Sequence, residues 1–300
     1  MLYYGLIIIS VLMFGGGFAL QDAYRKKRGS GLKSSLESAF IGSIAGLLVL
    51  LIINKFSFEF TIFSFIMAFL SALNGILFTF FSFKALEQTN LSLFSLFSML
   101  GGMVLPFLQG IIFYGEKFTL AKGVALAFIC VALILTIKKG EKKNKGVFCL
   151  GIFILNGMSG VLSKIFTSSA QIKTSAVGYT VLISVCTIVF AFIGLMIISF
   201  LEKRRSGERN CQNKVIERKT LFISYGISSF YGVLNKVANF LLVFALVFVD
   251  ASVQYPMVTG GTMIISTLLC YFTDKKPSRK ELLSVFLAFV GTLALFLIPV

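Results

Sequence analysis

Residues 138–145 have the sequence Lys-Lys-Gly-Glu-Lys-Lys-Asn-Lys, and this short basic segment interrupts an otherwise apolar chain. On each side of it lie five stretches that are long enough and apolar enough to cross a membrane. They cover roughly residues 3–20, 37–54, 61–84, 91–114, 119–137, 146–166, 175–200, 220–248, 251–272 and 279–299. Because five is odd, a second copy of a five-span unit is inserted upside down relative to the first. We therefore predict an all-α polytopic membrane protein with ten transmembrane helices in two inverted five-helix repeats, residues 1–137 and 146–300, joined by the basic linker 138–145.

The composition of the chain supports this prediction. Hydrophobic residues make up 57% of the 300 positions and charged residues 13%, whereas charged residues reach about a quarter of a soluble domain. Most of the chain is therefore expected inside a bilayer, as a multi-pass protein of the cytoplasmic membrane with lipids as partners. The first span has no basic region before it and no small-residue cleavage site after it, so we expect no removed signal peptide.

Short patterns recur in the two halves in the same order. A Leu-Asn pair within an apolar span is followed by a Gly-Gly pair and then by an acidic turn. The paired residues are Asn74 and Asn235, Gly101-Gly102 and Gly260-Gly261, and Glu116 and Asp274. This order predicts related halves, with Asn74 and Asn235 in equivalent places where two amides could bond each other.

The net charge of +16 lies mostly in short loops between apolar spans, which indicates membrane topology and argues against a nucleic-acid partner. Of the 28 Lys and Arg residues, 22 lie in loops after odd-numbered spans and five in loops after even-numbered spans. The remaining one is Lys236, within the eighth span. By the positive-inside rule the odd loops are cytoplasmic and both termini lie outside.

The chain contains no histidine, and its five cysteines are scattered without a CxxC pair. Histidine is the commonest general base, proton relay and metal ligand, so its absence removes most metal and acid–base chemistry. No carboxylate lies deep within a span either. We therefore expect no enzyme, no catalytic residue, no metal and no cofactor; a membrane-embedded enzyme and a structural subunit are the alternatives from other classes.

The eighth span carries a polar stripe. Its members recur at helical spacing and are Ser224, Ser228, Gly232, Asn235 and Asn239. A polar face cannot be turned toward lipid at low cost, so this face is expected to look into protein or a water-filled cavity. Lys236 borders the stripe near the middle of the span, too deep to snorkel to the surface. Its ammonium is a functional candidate, with a carbonyl or carboxylate contact as the structural alternative.

Buried amides in other spans each need a hydrogen-bond partner, and a substrate is one such partner. Serine, threonine and glycine in membrane helices are more often packing residues. The predicted cavity-lining residues are Asn74, Ser98, Gln109, Asn156, Tyr231, Asn235, Lys236, Asn239 and Tyr255.

Residues 115–123 have the sequence Gly-Glu-Lys-Phe-Thr-Leu-Ala-Lys-Gly and lead into the fifth span. With ten spans in two halves, this turn and the Phe-Lys-Ala-Leu exit of the third span at 83–86, the chain resembles the drug/metabolite transporter superfamily, EamA type. In that family a Gly-Glu-x-x-Thr turn follows the fourth span. The second copy departs from the pattern, since 274–278 is Asp-Lys-Lys-Pro-Ser.

This resemblance implies a transporter that moves a small metabolite by alternating access, with export as the expected direction. The substrate classes are amino acids, drug-like compounds and anionic metabolites, and a coupling proton or an exchanged second substrate is the further partner. Lys236 favours a carboxylate or phosphate on the substrate. The alternative in the same fold is a lipid or lipid-linked sugar translocator. The resemblance also implies cytoplasmic termini, which disagrees with the charge count, so sidedness stays open.

Overall fold

The computed structural model describes residues 2–115, 118–136, 143–206, 218–245, 248–249 and 251–297. Ten helices account for nearly all of these residues. They are α1 Leu2–Arg28, α2 Leu32–Ile53, α3 Ile62–Gln88, α4 Leu91–Tyr114, α5 Leu120–Leu135, α6 Lys143–Ser168, α7 Ala176–Ser206, α8 Arg218–Ala245, α9 Ala251–Cys270 and α10 Arg279–Leu297. Each coincides with one predicted span, so the all-helical polytopic prediction is confirmed.

The helices differ from the predicted spans chiefly at charged ends. α1 continues to Arg28 and α7 to Ser206 because Lys, Arg and Glu are good helix formers and can project beyond the apolar layer. α6 begins at Lys143, inside the predicted linker, and residues 138–142 of that linker lie outside the described part.

Within the described residues, six helices are long and apolar enough to cross a membrane: α1, α2, α3, α4, α6 and α7. α5 is apolar but has 16 residues, about 24 Å at 1.5 Å per residue. In α8 the polar stripe lowers the mean hydropathy, and α10 begins with Arg279, Lys280 and Glu281. The six long apolar helices are typical of a multi-pass membrane protein.

Several helix ends are fixed by caps. Thr61, Asn90 and Thr119 accept hydrogen bonds from backbone N–H groups at the starts of α3, α4 and α5. Gly115 ends α4 in the left-handed conformation with φ 65°, which glycine adopts without strain. Before α10, Ser278 accepts a hydrogen bond from the backbone N–H of Glu281, whose carboxylate accepts one from the Ser278 N–H.

Eight helices form a closed cycle of contacts. In order around the cycle they are α8, α1, α9, α4, α6, α3, α7 and α2, and α2 packs against α8 again. α5 and α10 pack against each other outside the cycle; α10 also contacts α9 and α4, and α5 contacts α4. Neither five-helix half is therefore a separate body, since all eight neighbouring pairs in the cycle join helices from opposite halves.

One end of the cycle also has contacts across its centre. At this end, called the basic end here, lie the loops 29–31, 89–90 and 271–278. There α1 also contacts α3 and α4. Ring pairs mark these contacts: Tyr24 lies 5.8 Å from Phe83 between centroids, and Phe18 lies edge-on to Phe94 at 5.0 Å.

Candidate functional site

The polar residues of α8 lie between its contacts with α1 and its contacts with α2. Tyr231 lies against Gly17 of α1, whereas Gly232 lies against the backbone of Gly42 in α2. Asn235 is one turn beyond both, at i+4 and i+3, so it lies between the α1 and α2 contact lines. The side chain of Asn239, a further turn along, donates to the Asn235 carbonyl oxygen at 2.7 Å and to its Oδ1 at 3.3 Å.

Asn239 is exposed although it lies on this inner face. The lipid face of α8 is marked by Phe222, Phe230 and Phe244, with exposures of 81%, 55% and 45%. Nine residues separate Phe230 from Asn239, which places them on opposite sides of a helix with 3.6 residues per turn. The exposed surface of Asn239 therefore faces a space inside the bundle, toward the end opposite the basic end.

Lys236 lies beside this space. Its stem passes over Gly46 of α2, where an added Cβ would lie 2.7 Å from the Lys236 Cγ. The residue is partly buried, and its ammonium has no acceptor or carboxylate partner among the residues that the structure describes. The structural alternative, a contact with a carbonyl or carboxylate, is therefore not found in this described part.

The predicted amides of α3 and α6 have hydrogen bonds to neighbouring helices. The Asn74 side chain donates to the Leu155 carbonyl at 2.9 Å and to the Ser159 Oγ at 2.8 Å, which joins α3 to α6. Asn156 donates to the Ser98 carbonyl at 2.6 Å and so joins α6 to α4. The expected bond between Asn74 and Asn235 is not present among the described residues, because α3 packs against α6 and α7 while α8 packs against α1 and α2.

Three predicted residues remain. The Ser98 side chain is fully buried, and its Oγ has no hydrogen-bond partner within the described residues. Gln109 is 8% exposed, and its Oε1 likewise lacks a described partner. Tyr255 belongs to α9, but its side chain lies outside the described part of the structure. The structure thus brings Tyr231, Asn235, Lys236 and Asn239 onto one helix and does not join them to the α3, α4 and α6 residues.

Gln21 is a residue that the sequence did not single out. It begins the polar stretch 21–35 that precedes the second span, so its position suggested a loop. In the structure it lies within α1, is 1% exposed and has no described partner for either side-chain heteroatom. Its spacing of four from Gly17 and from Arg25 is the signal that could have placed it on a helix face.

Ion pairs close the basic end. Arg25 binds Asp22 at 2.7 Å within α1, and Lys26 reaches Asp274 in the loop after α9 at 2.7 Å. Arg28 of α1 pairs with Glu37 of α2. The hydrogen bond from Lys26 holds the pKa of the Asp274 carboxyl below its usual range. Charged residues of α1, α2 and the α9–α10 loop are thus paired at the basic end.

Lys275 adds a different contact at the same end. Its ammonium donates to three backbone carbonyls at the end of α3, those of Leu86, Glu87 and Thr89, at 3.3, 2.5 and 3.2 Å. Desolvation and the nearby charge of Arg25 lower the pKa of Lys275. These bonds satisfy carbonyls that a helix end leaves without intrahelical donors, and they tie the α9–α10 loop to α3.

No protein-family model matches this chain, and no curated protein matches it. A solved structure described only as "Crystal structure of protein" is similar over 96% of this chain and 98% of its own, with a TM-score of 0.50 and 15% identity. At that identity the similarity shows a shared fold over nearly the whole length and nothing of the ligand.

Proposed function

We propose that this membrane protein is a transporter of the EamA type in the drug/metabolite transporter superfamily, and that it moves a small anionic metabolite across the cytoplasmic membrane by alternating access. In this proposal all ten helices cross the membrane and form two inverted five-helix repeats. The substrate binds in the space beside Lys236, Asn235 and Asn239. Export is the expected direction.

Paired contacts support the internal repeat. If the helices of the first half correspond in order to those of the second, each α1–α9 contact should have a matching α6–α4 contact. Two such matches exist: Gly15–Ile265 with Gly157–Leu105, and Val11–Gly261 with Phe153–Gly101. In both matches the α6 residue lies 142 positions after the corresponding α1 residue, and the α9 residue lies 160 positions after the corresponding α4 residue. The shift of 160 between α4 and α9 pairs Gly101 with Gly261, a glycine at the same kind of helix contact in each half.

The same comparison aligns α3 with α8. Asn74 of α3 bonds Ser159 of α6. Ser159 corresponds to Gly17 of α1, and Gly17 contacts Tyr231 of α8. The Ser71–Tyr179 and Ser228–Ser38 hydrogen bonds also match, and both comparisons shift α3 by 157 positions. In this alignment Asn74 corresponds to Tyr231, so the pairing of Asn74 with Asn235 is replaced in the proposal.

Asymmetry between the matched contacts supports alternating access. α1 contacts α3 and α4 near the basic end. The corresponding pairs α6–α8 and α6–α9 have at most a marginal contact within the described residues. Two related halves with unequal closure are what an inverted-repeat transporter has when one end is shut and the other is open.

The observation that carries the proposal is Lys236. An isolated cation near the bilayer centre costs about 2.5–3.5 kcal/mol even on insertion scales. Such a residue is retained where a cavity hydrates it or a ligand binds it, and the exposed Asn239 beside it supports a cavity. A free ammonium in that place favours a carboxylate or phosphate on the substrate. Two amides one turn apart supply donors and acceptors for the rest of the molecule.

The test is metabolite profiling of cells that lack the protein or overproduce it, combined with Lys236→Met. This variant keeps most of the side-chain volume and removes the charge, so we expect normal insertion and loss of the metabolite change. The matched control is Lys33→Met, which removes an exposed lysine paired with Glu202 and should leave transport unchanged. Metabolite levels that do not respond to the protein, or respond equally to wild type and Lys236→Met, would contradict the proposal.

A further inference from the structure

Gln21 is the most completely buried amide whose side chain has no described partner at either heteroatom. It is 1% exposed in α1, and both its Nε2 and its Oε1 are unbonded within the described part of the chain. Buried polar groups in proteins are almost always hydrogen-bonded, so an amide with two unused groups indicates a polar ligand or water at this position in some state of the protein.

The neighbours of Gln21 on the helix surface show where it points. Residues three and four positions away share its face. Gly17 lies against Tyr231 of α8, Phe18 contacts Phe94 of α4, and Tyr24 contacts Phe83 of α3. Because three different helices surround this patch of α1, Gln21 faces the centre of the helix cycle and not lipid.

The position of Gln21 along the membrane normal differs from that of Lys236. α1 and α8 run antiparallel, with Gly17 opposite Tyr231. Gln21 is four residues from this level toward the basic end, and Lys236 is five residues from it toward the other end. At 1.5 Å per residue the two Cα atoms are about 13 Å apart along the helix axes. Arg25, one turn beyond Gln21, already belongs to the ion pairs at the basic end.

We propose that Gln21 is a substrate-binding residue between Lys236 and the basic end, a second polar position on the transport path. Its amide binds the uncharged donor–acceptor group of the metabolite, such as a hydroxyl or a carboxamide, as the molecule passes the α1, α3 and α4 contacts. This assignment rests on the proposed transport function and deepens it. The substrate it implies carries both an anionic group and a neutral hydrogen-bonding group.

The first test is thiol labelling in a variant whose five native cysteines are replaced. Gln21→Cys and Asn239→Cys are each treated with 2-sulfonatoethyl methanethiosulfonate, an anionic reagent, and with the cationic trimethylammonioethyl analogue. A variant that retains only Cys186, buried between α3, α6 and α7, is the control for a packed core. We expect Gln21→Cys to react more slowly than Asn239→Cys but at least about tenfold faster than Cys186. The anionic reagent should be favoured by about tenfold, and Lys236→Met should abolish that preference.

The outcomes separate the two proposals. If Gln21→Cys is as unreactive as Cys186 while Asn239→Cys reacts, Gln21 is a packing residue and the cavity at Lys236 stands. If Asn239→Cys is also unreactive, the cavity and the transport function both fail.

The second test is Gln21→Met, assayed for transport of the metabolite that profiling identifies. Loss of one hydrogen bond to a buried group should raise the KM by about tenfold, with normal expression. An unchanged KM would overturn substrate contact at Gln21. Asn54→Ala, which alters only a loop hydrogen bond to Ser57, is the control.

Discussion

Gly232 and Gly75 occupy corresponding places in the proposed repeat, yet their surroundings differ sharply. A Cβ at Gly232 would lie 2.0 Å from the Gly42 carbonyl oxygen and 2.5 Å from its carbon, whereas one at Gly75 would meet nothing within 4 Å. The obstacle at Gly232 is backbone on both sides, so no side-chain rotation can relieve it. Gly232→Ala therefore requires α2 and α8 to move apart until this contact reaches an ordinary distance of at least 3.4 Å.

The magnitude follows from two opposing terms. Overpacking of a close contact costs about 1–3 kcal/mol, and replacing glycine with alanine within a helix returns up to about 1 kcal/mol. We expect Gly232→Ala to lower the free energy of unfolding by about 1–2 kcal/mol. Gly75→Ala has only the favourable term, so we expect it to be neutral or stabilising by up to about 1 kcal/mol.

The assay is unfolding of purified protein in mixed micelles by titration with sodium dodecyl sulfate. Because the chain has no tryptophan, helix content from circular dichroism is the better signal. The reasoning is refuted if Gly232→Ala unfolds at the wild-type midpoint, or if Gly75→Ala is destabilised as much as Gly232→Ala. The second result would show that the space beside Gly75 is filled by packed atoms.

Two further predictions concern polar contacts. Asn74→Ala removes two hydrogen bonds between α3 and α6, each worth about 0.6 kcal/mol in membranes. It should lower the unfolding midpoint more than Asn239→Ala, because the described hydrogen bonds of the Asn239 amide lie within α8. Equal midpoints for the two variants would contradict the α3–α6 contact. Asp274 has a lowered pKa when folded, so its pair with Lys26 stabilises the protein above the unfolded pKa of about 3.9 and is lost as pH falls through the folded value. Asp274→Asn should therefore flatten the dependence of stability on pH between about 4 and 2 at low salt, and an unchanged slope would show that the exposed pair contributes nothing.

The positions of the helices were predictable because apolar length is a local property of the sequence. The stripe of α8 was predictable for the same reason, since spacing fixes which residues share a face. Which faces meet is a property of the whole packing arrangement. Asn74 and Asn156 were expected to line a cavity, but nearby carbonyls of Leu155 and Ser98 accept their hydrogen bonds.

Two further differences have physical reasons. Gln21 is followed by charged residues, and apolar length alone ends the first span before them. The helix does continue to Arg28, so Gln21, the first residue after the predicted span, lies within α1. The Leu-Asn match between the halves rested on residue identity alone, whereas shared helix contacts identify residues in equivalent places of the packing. Those contacts favour Tyr231 as the counterpart of Asn74.

The three carbonyls bound by Lys275 bear on how often the basic end opens. Each of these hydrogen bonds contributes about 1 kcal/mol net. A state in which the α9–α10 loop has separated from α3 loses all three bonds, so its free energy is about 3 kcal/mol higher. Such a state would make up less than about one molecule in a hundred at rest. A ligand would have to prefer that state by a comparable free energy to populate it appreciably. An empty protein would therefore seldom open this end, which would limit leakage through the transporter proposed above.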